Sequence, residues 1–186
     1  IDDTNIQNID TTYLRDNITY INQNTLLFDE DIYYNIKYGS KQSINLETIA
    51  PAPSPNQQPL TNLTPSISNK VYPKEEILED SKIKKILKKY DLLTIYDKLE
   101  NKLRTKAGPR GTNLSLGMQK VTITLRGILK KSKVIIFDEP LAGLDQLTRE
   151  KIIKLIMNET IDKTVIIITH DKEILPYMDK VINLQE

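Results

Sequence analysis

The chain has 186 residues, with 26 lysines and arginines against 25 aspartates and glutamates, so it carries no basic field to hold nucleic acid nonspecifically. That length is enough to bury one α/β core. The absence of cysteine excludes a disulfide framework and a thiolate metal site, and argues against redox chemistry.

In chain order, Thr12 to Asn17 reads as a helical turn and Ile18 to Ile21 as a short alternating strand that runs into a polar loop, Asn22-Gln23-Asn24. Leu26, Leu27, Phe28, Ile32, Tyr33 and Ile36 then form an apolar cluster reaching Gly39, expected as a short helix on the core. Ser40 to Pro73 holds six of the nine prolines, four asparagines and only three charged residues. Such a mixture buries too little apolar surface to offset ordering, and a flexible surface insertion is expected.

Order resumes near Lys74. Ile83, Ile86, Leu87 and Tyr90 mark one face of a helix, and Lys82, Lys84, Lys85, Lys88 and Lys89 fill the other as a solvated face. A second helix is predicted from about Leu92 to Leu103, ended by Gly108, Pro109 and Gly111. Leu114-Ser115-Leu116-Gly117 opens an amphipathic helix with Met118, Val121, Leu125 and Ile128 or Leu129 on its apolar face. Ser115 near that N-terminus reads either as a plain N-cap or as part of an anion site.

Val134 to Phe137 is a continuous apolar run, the pattern of a parallel strand covered on both faces, and it closes on Asp138-Glu139-Pro140. A helix with Leu147, Ile152, Ile153, Leu155 and Ile156 leads to a second such strand, Val165 to Thr169, closing on the chain's single histidine, His170. A βαβ crossover makes these strands parallel, so Asp138, Glu139 and His170 emerge at one sheet edge, where open α/β sheets bind ligands. Those residues suit phosphoryl transfer to water, with Asp138 holding magnesium, Glu139 polarising the water and His170 steadying the terminal phosphate. A last strand is predicted from Lys180 to Leu184.

Taken in order, Gln23 after a strand, Leu114 to Met118, Val134 to Pro140, Leu141-Ala142-Gly143-Leu144-Asp145 and Thr169-His170 resemble the nucleotide-binding domain of ATP-binding cassette transporters. The resemblance covers nearly the whole chain except Ser40 to Pro73, and Gln23 to Tyr38 looks most like exporter cassettes. It implies an α/β, P-loop NTPase-type parallel sheet with an inserted α-helical subdomain, incomplete at the N-terminus. Residues 1–39 would form the Q-loop region, 40–73 the insertion, 74–113 the helical subdomain, and 114–186 the signature, Walker B, D-loop and H-loop region.

By the same resemblance, Gln23 matches the Q-loop glutamine that touches magnesium, and Asp138 the Walker B aspartate. Glu139 matches the catalytic glutamate and His170 the switch histidine. Ser115, Leu116, Gly117 and Asp145 lie in the segments that contact ATP bound to a partner cassette. ATP and Mg2+ are the implied cofactors, and a second cassette arranged head to tail is the implied partner. A transmembrane domain is expected upstream, with the cassette on the cytosolic or organelle matrix face of a membrane and no nucleic-acid partner.

Two departures qualify this. Leu116 and Met118 stand where the family's signature has glycine and glutamine, which leaves open a nonhydrolytic, regulatory cassette. A soluble cassette acting on nucleic acid or ribosomes shares these motifs as well. The sequence also contains no Gly-x-x-x-x-Gly-Lys-Ser/Thr loop. The chain opens at Ile1 without methionine, so the phosphate cradle is expected upstream in a longer protein, and these residues alone are expected to bind ATP poorly.

Overall fold

The computed structural model describes residues 4–40 and 81–184. The elements are α1 (Thr11–Asn17), β1 (Ile18–Ile21), α2 (Ile32–Lys37), α3 (Ser81–Lys89), α4 (Leu116–Leu129), β2 (Val134–Asp138), α5 (Gln146–Glu159) and β3 (Thr164–Ile168). Three parallel strands lie in the order β1-β2-β3. Ile21 pairs with Phe137 and Asp138 with Ile168, so all three carboxyl ends reach the same edge. Among the described residues no helix is long and apolar enough to cross a membrane.

The core forms where the strands meet the helices. Ile135 and Phe137 of β2 are wholly buried, as are Val121 of α4, Ile152, Leu155 and Ile156 of α5, and Ile32 and Ile36 of α2. β1 crosses α4 at Gly127, where an added Cβ would collide with Ile21 Cδ1, so a larger residue there would force the Ile21 side chain to shift. α3 divides as its periodicity predicts: Ile83, Ile86, Leu87 and Tyr90 are buried and the lysines exposed. Lys89 and Tyr90 both reach the Glu159 carboxylate, at 2.9 and 2.7 Å, which fastens this segment to the end of α5.

The structure departs from four expectations. Leu92 to Leu103 is not one helix but two short 3-10 turns, Leu93–Tyr96 and Lys102–Arg104. Asp91 and Lys102 adopt positive φ at 50° and 46°, and the tighter path still buries Leu92, Tyr96 and Leu103 while Leu93 faces out. Leu147 is likewise exposed in the first turn of α5. Lys180 to Leu184 forms no strand, because an apolar-rich stretch still needs a neighbouring ladder and none of the described residues supplies one. Finally, β3 is not covered on both faces: Ile166 and Ile168 are 46% and 51% exposed. The insertion expected from Ser40 to Pro73 falls outside the described residues, except for Ser40, which closes a 3-10 turn after α2.

Candidate functional site

The βαβ unit brings Asp138, Glu139 and His170 together as the sequence predicts. Glu139 leaves β2 with φ at 50°, a left-handed conformation costing a non-glycine residue about 1–3 kcal/mol. The surroundings hold it there. Its N–H donates to the Ile168 carbonyl at 2.9 Å, extending the ladder by one bond beyond β2. Its carboxylate then turns toward β3: Oε1 accepts from the His170 backbone N–H at 3.1 Å and lies 2.8 Å from His170 Nδ1, while Oε2 accepts from the Thr169 hydroxyl at 3.2 Å. An ionised carboxylate only accepts, so this contact places a proton on Nδ1. The ring itself stands 84% exposed at the sheet edge.

Asp138 is the neighbour of this cluster on β2. Its Oδ2 accepts from the Tyr20 hydroxyl of β1 at 3.1 Å, and that bond to a negative acceptor raises the tyrosine's pKa. Lys120 of α4 approaches the same turn and donates to the Glu139 carbonyl at 2.5 Å. Burial lowers the pKa of its ammonium, and the charges of Glu139 and Asp138 oppose that shift. Gln23 follows β1 at the same edge, exposed and without a hydrogen bond among the described residues.

The remaining predicted residues lie on a second shelf, built by the N-termini of α4 and α5. Ser115 is the N-cap of α4, its hydroxyl accepting from Met118 N–H at 3.3 Å. Asp145 is the N-cap of α5, accepting from Thr148 N–H at 3.0 Å and from the Thr148 hydroxyl at 2.8 Å. Those bonds favour the ionised carboxylate and lower its pKa. Leu116, 47% exposed, rests against Gly143: a Cβ there would stand 2.7 Å from Leu116 Cδ2. Gly117 is different, since an added Cβ would meet Thr148 at an ordinary 3.7 Å. Packing within the chain does not demand glycine at 117. Met118 points away from the shelf into the core.

Sequence reasoning overlooked four side chains that build this edge: Tyr20, Lys120, Thr169 and Arg149. Arg149 ties the two shelves together, its Nε donating to the Leu144 carbonyl at 3.2 Å and its Nη1 meeting Asp171 at 2.7 Å, one residue beyond His170. Thr169 was signalled by its place between strand and histidine. For Lys120 the available signal was a cation bordering the apolar run Val121 to Leu125. Tyr20 and Arg149 carry no local signal, because strand pairing and loop closure create their contacts.

Comparison with known proteins shows the family to which the chain belongs. The family model described as "ABC transporter" matches residues 1–142. "ABC transporter ATM1" of Plasmodium falciparum is 33% identical over 182 residues, which is 98% of this chain and 14% of that protein. The "ATP-dependent lipid A-core flippase" of Pasteurella multocida is 26% identical over 185 residues, covering 100% of this chain and 26% of that protein. The chain therefore spans roughly a quarter or less of the length of either relative. A solved bacterial Atm1-family ABC exporter with ATP bound superposes with a TM-score of 0.63 over 92% of this chain and 24% of its own, at 22% identity, a likeness of fold. With its parallel P-loop NTPase-like sheet and a family match over most of its length, the chain belongs to the ABC transporter family.

Proposed function

We propose that this chain is the larger part of a nucleotide-binding domain that hydrolyses ATP to drive a substrate across a membrane in an ABC exporter. The observation that carries the reading is the double anchoring of Glu139, whose carboxylate is held on both oxygens by Thr169 and His170 beside Asp138. Glu139 would polarise the attacking water, and His170 would steady the terminal phosphate.

The oxygen donors of Asp138 and Gln23 fit Mg2+, a hard ion that keeps several water ligands. Among the described residues no cluster of three or more His, Cys, Asp or Glu could enclose a metal, which agrees with a cation that completes its shell from water and phosphate oxygens. A bound Mg2+ would offset charge on the phosphates.

Ser115, Leu116, Gly117 and Asp145 would face the nucleotide of a second cassette in a head-to-tail dimer. The bareness of Gly117, which internal packing does not require, supports that orientation. The phosphate cradle would come from a strand and loop outside these 186 residues, paired along the open edge of β3; that β3 pairs only with β2 among the described residues supports this. The transmembrane domain would be fused upstream, with the cassette on the cytosolic or organelle matrix side. The fragment alone would be inactive.

In the full-length protein, Glu139→Gln is expected to lower steady-state ATPase by about 10²- to 10⁴-fold while nucleotide binding persists. Turnover at the wild-type rate would sink the proposal. A second reading, a nonhydrolytic cassette with a regulatory role, is favoured by one observation: Leu116 puts bulk at the shelf where the family has glycine. Robust ATPase by the reconstituted full-length dimer, lost on Ser115→Arg, would dispose of it.

A further inference from the structure

Lys120 is a partly buried cation whose side chain makes its only hydrogen bond among the described residues to a backbone carbonyl, that of Glu139. A buried ammonium normally finds a carboxylate, and two are close enough to act on its charge, yet neither Asp138 nor Glu139 forms an ion pair with it. The carbonyl it chooses belongs to the left-handed residue. Turning Glu139 to positive φ swings its C=O out of the β ladder toward α4, where Ala142 N–H contributes a second, longer bond at 3.4 Å.

The same device occurs elsewhere in the chain. Lys151 donates to the carbonyl of Asp91, another left-handed acidic residue, at 2.7 Å. There the lysine also pairs with the Asp91 carboxylate at 2.9 Å, so both ends of the residue are fixed by one cation. At Glu139 the two ends are separated. Lys120 takes the carbonyl, and the carboxylate is left for Thr169 and His170.

Resting on the reading of Glu139 given above, we infer that Lys120 is the positioning residue for Glu139. It holds the left-handed turn that aims the carboxylate along the sheet edge, and it lowers the repulsion between the adjacent Asp138 and Glu139 charges without neutralising the carboxylate used as a base. Because Ser115 caps the same helix five residues earlier, α4 links the serine–glycine shelf directly to the Glu139 turn. A shift of α4 reaches the Glu139 backbone through a single side chain.

The test uses the full-length protein with three variants, Lys120→Met, Lys120→Arg and Glu139→Gln. Lys120→Met keeps the apolar stem and removes the donor, and is expected to lower kcat about 10- to 100-fold with KM for ATP within about 2-fold; Lys120→Arg is expected to recover most of the loss. Combined with Glu139→Gln, Lys120→Met should have no further effect on turnover. A readout independent of turnover is hydrogen exchange in nucleotide-free protein: Lys120→Met should speed exchange about 10-fold in peptides covering 138–145 and 168–171, leave 121–129 unchanged, and be reversed by arginine.

Unaltered exchange in the 138–145 peptide overturns the inference whatever the ATPase does. So does a Lys120→Met protein whose 121–129 peptide is equally loosened and which arginine does not rescue, since that marks general destabilisation. If Glu139→Gln abolishes turnover and Lys120→Met spares it, Lys120 loses its role and the ATPase reading stands. If Glu139→Gln spares turnover, the ATPase reading fails, and the exchange data still decide whether Lys120 holds the turn.

Discussion

The strands β2 and β3 are nearly interchangeable as sequence, Val-Ile-Ile-Phe-Asp against Thr-Val-Ile-Ile-Ile, yet they meet different surroundings. β2 lies between two neighbours with Ile135 and Phe137 sealed against the helices, and the turn at its end is fastened by Lys120, Thr169 and His170. Among the described residues β3 has a neighbour on one side only, and on one of its faces Ile166 and Ile168 remain half exposed. Apolar runs of this kind record that a strand is to be covered on both faces. They do not record which segment does the covering, and for the face of β3 that carries Ile166 and Ile168 no described residue does.

The largest effect that would break this comparison lies in β2. Phe137→Ala should cost about 3–5 kcal/mol of stability, by lost transfer energy plus the cavity left behind. A loss below about 1 kcal/mol would mean that β2 is no better packed than β3.

The next effect sharpens the contrast. Ile166→Ala in the 186-residue chain should cost under about 1 kcal/mol, because little surface is recovered from water there. In the full-length protein the same change should cost about 2–4 kcal/mol, if a segment outside these residues covers the face of β3 that carries Ile166. Denaturation of both forms measures it, and labelling provides a check, since the chain has no cysteine of its own: Ile166→Cys should react with maleimide in the fragment and be shielded in the longer protein. An equally reactive Ile166→Cys in both would show that this face of β3 stays open to solvent in the longer protein as well.

A smaller effect tests how the 3-10 segment is attached. Tyr96 is wholly buried with its hydroxyl 2.9 Å from Thr122 Oγ1, and Thr122 in turn donates to the Met118 carbonyl at 2.7 Å. Tyr96→Phe should therefore cost about 1–2 kcal/mol, with no change at the sheet edge.

How much was legible follows the same division. Elements whose partners are near in sequence, or whose pattern is long and regular, were readable: the lysine face of α3, the cap and apolar stripe of α4, and the two strands with their terminal Asp138, Glu139 and His170. Leu92 to Leu103 misled because its apolar spacing of about four residues suits consecutive 3-10 turns as well as an α-helix; Asp91 is of a type that tolerates the left-handed conformation, but Lys102, left-handed as well, carries a side chain not marked for it. Val181 to Leu184 misled because strand pattern is a request for a partner. At the site, the residues with distinctive chemistry were found, while two that merely hold them, Tyr20 and Arg149, were visible only after strand pairing and loop closure brought them near.

The smallest effect concerns the loop leaving β2, where Asp145 has two readings that one substitution separates. Its carboxylate caps α5, and the Thr148 hydrogen bonds lower its pKa from the usual 3.8. A depressed folded-state pKa means the unfolded chain binds the proton first as pH falls. The cap's contribution is thus full above about 3.8 and is lost as pH drops through the lower folded value. Asp145→Asn keeps an oxygen acceptor for Thr148 N–H and cannot titrate, so its melting temperature should fall less than the wild type's on acidification from about pH 6 to pH 3. Parallel curves would show that the Thr148 bonds do not favour the charged form. Near neutral pH the same variant divides capping from contact with a partner's nucleotide: the melting temperature should fall slightly, by the part the charged carboxylate contributes, while ATPase of the full-length dimer falls severalfold. If ATPase holds, Asp145 is a helix cap and the second shelf reduces to Ser115, Leu116 and Gly117.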